Sequence, residues 1–140
     1  MLQQEREPGS AAGPATVRYL AAIPALPVTD EPRAMRFLEA ALGLEEVLRD
    51  GRSIGIARRG GVEVHVWVTD GRPGAEPHLA GSGSCRIEVR GVEALYERCQ
   101  RLGVVHPAAP LGDTEFGTRE FSILDPDGNL IGVFEWRQDA

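Results

Sequence analysis

The sequence predicts an α+β protein made of two copies of a β-α-β-β-β unit, and three observations support this. A strand-like run followed by an amphipathic helix occurs twice, and matching points of the two copies lie about 60 residues apart. Each helix is followed by apolar runs of strand-like residues. A segment rich in Gly, Pro and Ser separates the copies. We therefore expect a flexible tail over residues 1–16, modules over residues 17–70 and 84–137, and a linker over residues 71–83.

The first unit begins with an apolar run, VRYLAAIPALPV, which predicts a strand over residues 17–28. The helix that follows can be capped by Thr29 or Asp30, and Pro32 lies near its first turn, where a missing amide hydrogen costs nothing. Apolar side chains share one face of this helix: Ala34, Met35, Phe37, Leu38, Ala41 and Leu42. Three strand-like runs follow, EEVLRD, SIGIAR and VEVHVWV, and the hairpin-like RRGG joins the last two. Arg52, Arg58 and Arg59 are expected on a solvated loop and turn.

The second unit repeats this order. CRIEVRG predicts a strand, and VEALYERCQRL predicts a helix that Gly103 ends. The apolar residues of this helix recur at helical spacing: Val92, Leu95, Tyr96, Cys99 and Leu102. TREFSIL and NLIGVFEW predict two strands around the turn DPDGN.

Composition excludes several classes of protein. The chain has 140 residues, 42% of them hydrophobic and 26% charged, which is typical of a soluble globular protein. Its net charge of −6 argues against nucleic acid or an anionic membrane as the main partner. No apolar run reaches about 18 residues, and the N-terminal segment lacks the apolar core of a signal peptide, so we expect a cytoplasmic location. Cys85 and Cys99 are expected to be buried free thiols.

Three segments, AIPALPVTD, VRGVEALYE and FGTREFSILDPDGN, resemble in the same order the bleomycin resistance protein family of the vicinal oxygen chelate, or glyoxalase, superfamily. The similarity covers residues 18–137. It implies two modules that form a curled, antiparallel-rich sheet cup with the helices on its convex face, in a homodimer. Pro24 matches the proline of the N-terminal strand that such dimers exchange, although an ordinary edge strand also accommodates proline.

The resemblance also locates four positions at which enzymes of this superfamily bind a divalent metal ion. These positions fall on Ile23, on Glu63 or His65, on Ser84 and on Gly132. Isoleucine and glycine carry no ligand atom, and serine is a poor ligand. We therefore expect no metal, no cofactor and no catalytic residues.

Strand alternation predicts which side chains line the cup. If the four positions face inward, so do residues two places away along each strand. This lining combines carboxylates, an imidazole and indoles, which suits a partly cationic, partly aromatic guest. The predicted ligand-binding residues are Ile54, Glu63, His65, Trp67, Arg86, Glu88, Phe116, Gly117, Gly132, Phe134 and Trp136.

Other interpretations of these residues stay open. Trp67 and Trp136 could pack at a subunit interface or at a strand end, and His65 could be an ordinary hydrogen-bonded sheet residue. Glu63 and Glu88 would be surface carboxylates if the inward assignment were wrong by one position, since such a slip inverts every face.

In the family, the bithiazole rings of the drug lie between aromatic residues of two subunits. Phe116, before Gly117, matches one of these aromatics, with phenylalanine in place of tryptophan. Ile54 is the best match to the other and is not aromatic. The resemblance implies a non-catalytic protein that binds and sequesters a bleomycin-type antibiotic. The alternatives are a metal-dependent glyoxalase- or dioxygenase-like enzyme and a ligand-binding accessory protein of a biosynthetic pathway.

Overall fold

A computed structural model describes residues 16–69 and 79–138, so the predictions for residues 1–15 and 70–78 lie outside the described residues. The first module contains β1 (Ala25–Val28), α1 (Glu31–Leu42), β2 (Glu45–Arg49), β3 (Ile54–Arg59) and β4 (Val62–Val68). The second contains β5 (Ser84–Glu88), α2 (Val92–Leu102), β6 (Gly112–Asp113), β7 (Thr118–Leu124) and β8 (Leu130–Trp136). This order confirms the predicted α+β class.

Each module forms a four-stranded mixed sheet, and the two sheets have the same topology. The strand orders are β1-β4-β3-β2 and β5-β8-β7-β6. β1 pairs with β4 and β5 with β8 in parallel, whereas the other neighbours are antiparallel. Across the described residues the two sheets remain separate, so the chain does not close the predicted cup.

α1 begins and ends where its local sequence predicts. The Asp30 carboxylate accepts a hydrogen bond from the Arg33 amide at 3.0 Å, which assigns the N-cap to Asp30. The helix ends at Gly43, whose φ of 71° lies in the left-handed region that glycine tolerates best. Its buried residues include five of the predicted apolar face: Ala34, Met35, Leu38, Ala41 and Leu42.

The two helices contact each other, and each also packs on its own sheet. Cys99 is fully buried, and its thiol lies 3.5 Å from the Ala41 carbonyl oxygen. Arg98 of α2 donates from Nε to the Ala40 carbonyl at 2.8 Å, so it satisfies a backbone acceptor in the last turn of α1. The helices therefore cover one face of each sheet and leave the opposite face open.

The DPDGN turn attaches the second module to the first as well as folding the β7–β8 hairpin. Asn129 is fully buried, and its Nδ2 donates to the Pro27 carbonyl at 2.9 Å and to Asp125 Oδ2 at 2.7 Å. Its Oδ1 accepts from the Gly83 amide at 2.7 Å. Next to this contact, the Thr29 hydroxyl donates to Asp127 at 2.7 Å. One asparagine thus joins two segments that the sequence places far apart.

Two predictions about elements were wrong, and one short strand was not predicted. The first strand covers only Ala25–Val28, and residues 17–24 belong to no strand or helix. Within this segment Tyr19 and Leu20 are about 80% exposed, because among the described residues no strand pairs with it. β6 escaped prediction because two residues show no periodicity. Leu102, the last residue of α2, is exposed rather than packed.

Among the described residues, no helix is long and apolar enough to cross a membrane.

Candidate functional site

The face of the first sheet that α1 leaves uncovered carries the polar residues of β4. Val64, Val66 and Val68 are buried, whereas the residues between them keep partial exposure. Glu63, His65 and Trp67 therefore share the open face, as alternation predicts. The strand register puts three residues of β3 beside them, with Ile54 opposite Trp67, Ile56 opposite His65 and Arg58 opposite Glu63.

Three charged or polar side chains on this face bind one another. Arg58 donates to Glu63 Oε1 from Nε at 3.1 Å and from Nη2 at 3.0 Å. His65 Nε2 lies 2.6 Å from Glu63 Oε2. The hydrogen bonds from His65, and then from Arg58, hold the pKa of Glu63 below its usual range. Arg58 is thus a strand residue paired with a carboxylate, so its assignment to a loop or turn was wrong, whereas its expected exposure is confirmed by a side chain that is 51% exposed.

The open face of the second sheet is organised by Arg86. The register places Arg86 and Ser122 on either side of Gly132. The Arg86 guanidinium lies 4.3 Å from the centroid of the Phe134 ring, within the range of a cation–π contact. Phe134 in turn meets Trp136 edge to face, with ring centroids 6.0 Å apart.

Crowding by neighbouring atoms does not explain why residue 132 is a glycine. A methyl group at this position would meet its nearest atom, Arg86 Cγ, at 3.5 Å, which is an ordinary contact. None of the ligand atoms expected of a metal site is present at Ile23 or Gly132, and Ser84 is exposed at the start of β5. The described residues contain no group of three or more His, Cys, Asp or Glu side chains that could hold a metal ion.

Glu120 connects Arg86 to the turn that carries Phe116. Arg86 donates to both carboxylate oxygens of Glu120, at 3.1 and 3.3 Å, and the Thr118 hydroxyl donates to Glu120 Oε2 at 2.6 Å. Thr118 Oγ1 also lies 2.7 Å from Thr114 Oγ1. The hydrogen bonds from Arg86, and then from Thr118, lower the pKa of Glu120.

Phe116 projects from the β6–β7 turn and is 77% exposed. Its amide donates to Thr114 Oγ1 at 3.2 Å. Gly117, next to it, has a φ of 97°, which a side chain rarely tolerates. The glycine at this position therefore serves the backbone of the turn.

A cavity of about 620 Å³ lies where the two modules meet. It brings together three of the predicted ligand-binding residues, Glu63, Arg86 and Glu88, with Ile23 and Pro24 along another side. Trp136 lines a separate cavity of about 280 Å³. The predicted residues thus divide between two open faces, the β6–β7 turn and the junction between the modules.

Sequence reasoning missed four polar residues of these faces: Arg58, Thr118, Glu120 and Ser122. A signal for three of them was present, because alternation in TREFSIL puts Thr118, Glu120 and Ser122 on one face. The antiparallel hairpin then brings that face beside Gly132 and Phe134.

Comparison with known proteins agrees with this fold. Residues 19–133 match the family model described as the glyoxalase/bleomycin resistance protein/dioxygenase superfamily. Bleomycin resistance proteins of Geobacillus stearothermophilus and Staphylococcus aureus are 36% identical to the chain, over 83% of this chain and 96% of theirs.

Two solved structures are similar as well. A bleomycin-binding protein from Streptomyces verticillus, complexed with copper(II)-bleomycin, is 30% identical with a TM-score of 0.66, over 84% of this chain and 97% of that one. A bleomycin resistance determinant encoded on the transposon Tn5 is 25% identical with a TM-score of 0.67, over 86% and 99%. The chain therefore belongs to the glyoxalase/bleomycin resistance protein/dioxygenase superfamily.

Proposed function

We propose that this protein binds and sequesters a bleomycin-type antibiotic without catalysing a reaction. The observation that carries the proposal is the match to bleomycin resistance proteins at 36% identity over 96% of their length. A structure complexed with copper(II)-bleomycin, 30% identical over 97% of its chain, supports the same ligand class. The proposal places this binding in the cytoplasm.

The open faces have the chemistry to hold a ligand with planar rings and cationic groups. Phe116 and Trp136 present exposed aromatic surface, which stacks on flat heteroaromatic rings. Glu63 is already paired with Arg58 and His65, so its charge is largely compensated. Glu88 is exposed and makes no ion pair within the described residues, so it is the better carboxylate for a cationic group.

We also propose that the protein is a homodimer. Apolar side chains are exposed on both open faces, on the β6–β7 turn and on the segment before β1: Val17, Tyr19, Leu20, Ile54, Phe116 and Trp136. A second subunit would cover this surface and could accept the exposed segment, with Pro24 at the point where the segment leaves β1. Light scattering at micromolar concentration should report a dimer, and a monomer with or without bleomycin would contradict the proposal.

A metal-dependent enzyme of the same superfamily is the alternative. It would need Glu63 or His65 together with ligands that Ile23 and Gly132 cannot supply. Sequestration requires fewer functional groups than catalysis, because binding alone lowers the free drug concentration and needs neither a nucleophile nor a general base.

The test is calorimetric titration with metal-free and copper-loaded bleomycin. We expect binding at micromolar or lower ligand concentration, quenching or shifting of tryptophan fluorescence, and a rise in melting temperature with ligand. As a control, the variant Gln100→Ala changes an exposed residue of α2 and should bind bleomycin like the unaltered protein. No heat, no fluorescence change and no thermal shift well above micromolar bleomycin would overturn the proposed function.

A further inference from the structure

The backbone of the turn sets the direction of the Phe116 Cα–Cβ bond, and so the side from which its ring projects. Because the residue is 77% exposed, its own subunit offers little side-chain packing to orient it. The turn is held by backbone hydrogen bonds from the Thr114 amide to the Thr118 carbonyl at 2.8 Å and from the Arg137 amide to the Gly117 carbonyl at 2.8 Å. Inside the turn, one side-chain atom, Thr114 Oγ1, accepts from the Phe116 amide at 3.2 Å and from the Thr118 amide at 3.3 Å.

The proton directions in this turn follow from the charge on Glu120. An ionised carboxylate can only accept, so the single hydroxyl proton of Thr118 must point to Glu120 Oε2, 2.6 Å away. Thr118 Oγ1 can then only accept, and the Thr114 hydroxyl donates to it at 2.7 Å in preference to the more distant Thr118 carbonyl oxygen at 3.4 Å. With its own proton used, Thr114 Oγ1 turns its lone pairs toward the Phe116 and Thr118 amides.

Arg86 fixes the far end of this chain of hydrogen bonds. It holds both oxygens of Glu120 at 3.1 and 3.3 Å while its guanidinium covers the Phe134 ring. Thr118 is 2% exposed, so bulk water has little access to replace its hydroxyl contacts. Residues on the open face of the second sheet are therefore connected through hydrogen bonds to the backbone of the exposed turn.

We propose that Thr118 and Glu120, acting through Thr114, are positioning residues that hold Phe116 in its ligand-binding direction. This inference rests on the proposed function, because it assigns Phe116 to the ligand contact. The energetic role is preorganisation: a turn that is already ordered does not lose conformational freedom when the ligand stacks on its aromatic ring.

The first test is a double-mutant cycle measured by titration with metal-free bleomycin. Phe116→Ala should weaken binding about fivefold, the effect of one lost aromatic stacking contact. Thr118→Val keeps the side-chain shape and removes the hydroxyl, so we expect a loss of similar size. The double variant should bind no more weakly than Phe116→Ala alone, because both changes remove the same contact.

Thr118→Ser is the conservative control, since it keeps the hydroxyl, and it should bind like the unaltered protein. Binding by Thr118→Val at the unaltered affinity would overturn the inference, as would losses that add in the double variant. A Thr118→Ser variant as weak as Thr118→Val would overturn it too, because the hydroxyl would then not be the cause.

A second measurement does not need the ligand. The backbone order of residues 115–117, followed by 15N heteronuclear NOE, should fall in Thr118→Val and in Glu120→Met but stay unchanged in Thr118→Ser. Glu120→Met has similar length and lacks the acceptor, and it serves where Thr118→Val fails to fold. Unchanged order in both variants would overturn the inference. Loss of order in a protein that does not bind bleomycin would support the positioning role while refuting the proposed function.

Discussion

Replacing Asn129 with alanine should destabilise the protein strongly, although Asn129 lies in a hairpin turn. The substitution removes three hydrogen bonds, to Pro27, Asp125 and Gly83, from a side chain with no exposed surface. The Pro27 carbonyl still accepts from the Gly81 amide at 3.0 Å, so it keeps a partner. The Gly83 amide and the buried Oδ2 atom of Asp125 lose their hydrogen-bond partner.

The expected cost follows from those two orphaned groups. An unsatisfied buried polar group costs about 1–3 kcal/mol, and more when it is charged, so the variant should lose about 3 kcal/mol of unfolding free energy. For a chain of 140 residues this lowers the Tm by roughly 10 °C. Because Asn129 joins the end of β1 to the start of β5, the loss should affect the whole molecule rather than one hairpin.

The assay is thermal and urea unfolding followed by circular dichroism. Gln100→Ala is a matched control, since it removes an amide side chain whose one hydrogen bond, to Tyr96 at 3.1 Å, is exposed. We expect the control to change the Tm by less than about 2 °C. If Asn129→Ala also changes the Tm by less than about 2 °C, the contact between the modules contributes little to stability and the reasoning is refuted.

Further predictions concern charge, metal and ligand. Burial raises the pKa of Glu31 above 4.5, so its ionisation opposes folding as pH rises through that raised value. Glu31→Gln should therefore increase the Tm at pH 7 and lose this advantage below pH 4.5, and a lower Tm at pH 7 would contradict the burial argument. Elemental analysis of purified protein should find no stoichiometric Zn, Ni, Fe or Mn; one ion per subunit that disappears with His65→Ala would refute the binding-protein proposal. Phe116→Ala should weaken bleomycin binding by about 1 kcal/mol at every salt concentration, whereas the penalty of Glu88→Gln should shrink as salt screens its charge. Equal salt dependence of the two variants would show that Glu88 does not face a cationic group.

The elements with a clear local signal could be predicted from the sequence. Both helices have apolar residues at helical spacing and end at a glycine, Gly43 and Gly103, so their bounds follow from short-range rules. The strand-like runs VEVHVWV and TREFSIL predicted the ends of β4 and β7, and alternation of apolar and polar residues also predicted which face of β4 is open. The internal repeat predicted two equivalent modules because the same order of elements appears twice in the chain.

Contacts between distant residues were decided only by the tertiary structure. No local rule connects Asn129 to Pro27 or Arg86 to Glu120, since such pairs depend on how strands and modules pack. The limit of β1 at Ala25 has the same cause, because the preceding apolar residues have no partner strand within the described part of the chain. The sequence determined which residues could face a ligand, through alternation along each strand. The packing of the two modules decided which of them meet, and it placed Glu63 and Glu88 at one cavity while Phe116 stands on an exposed turn.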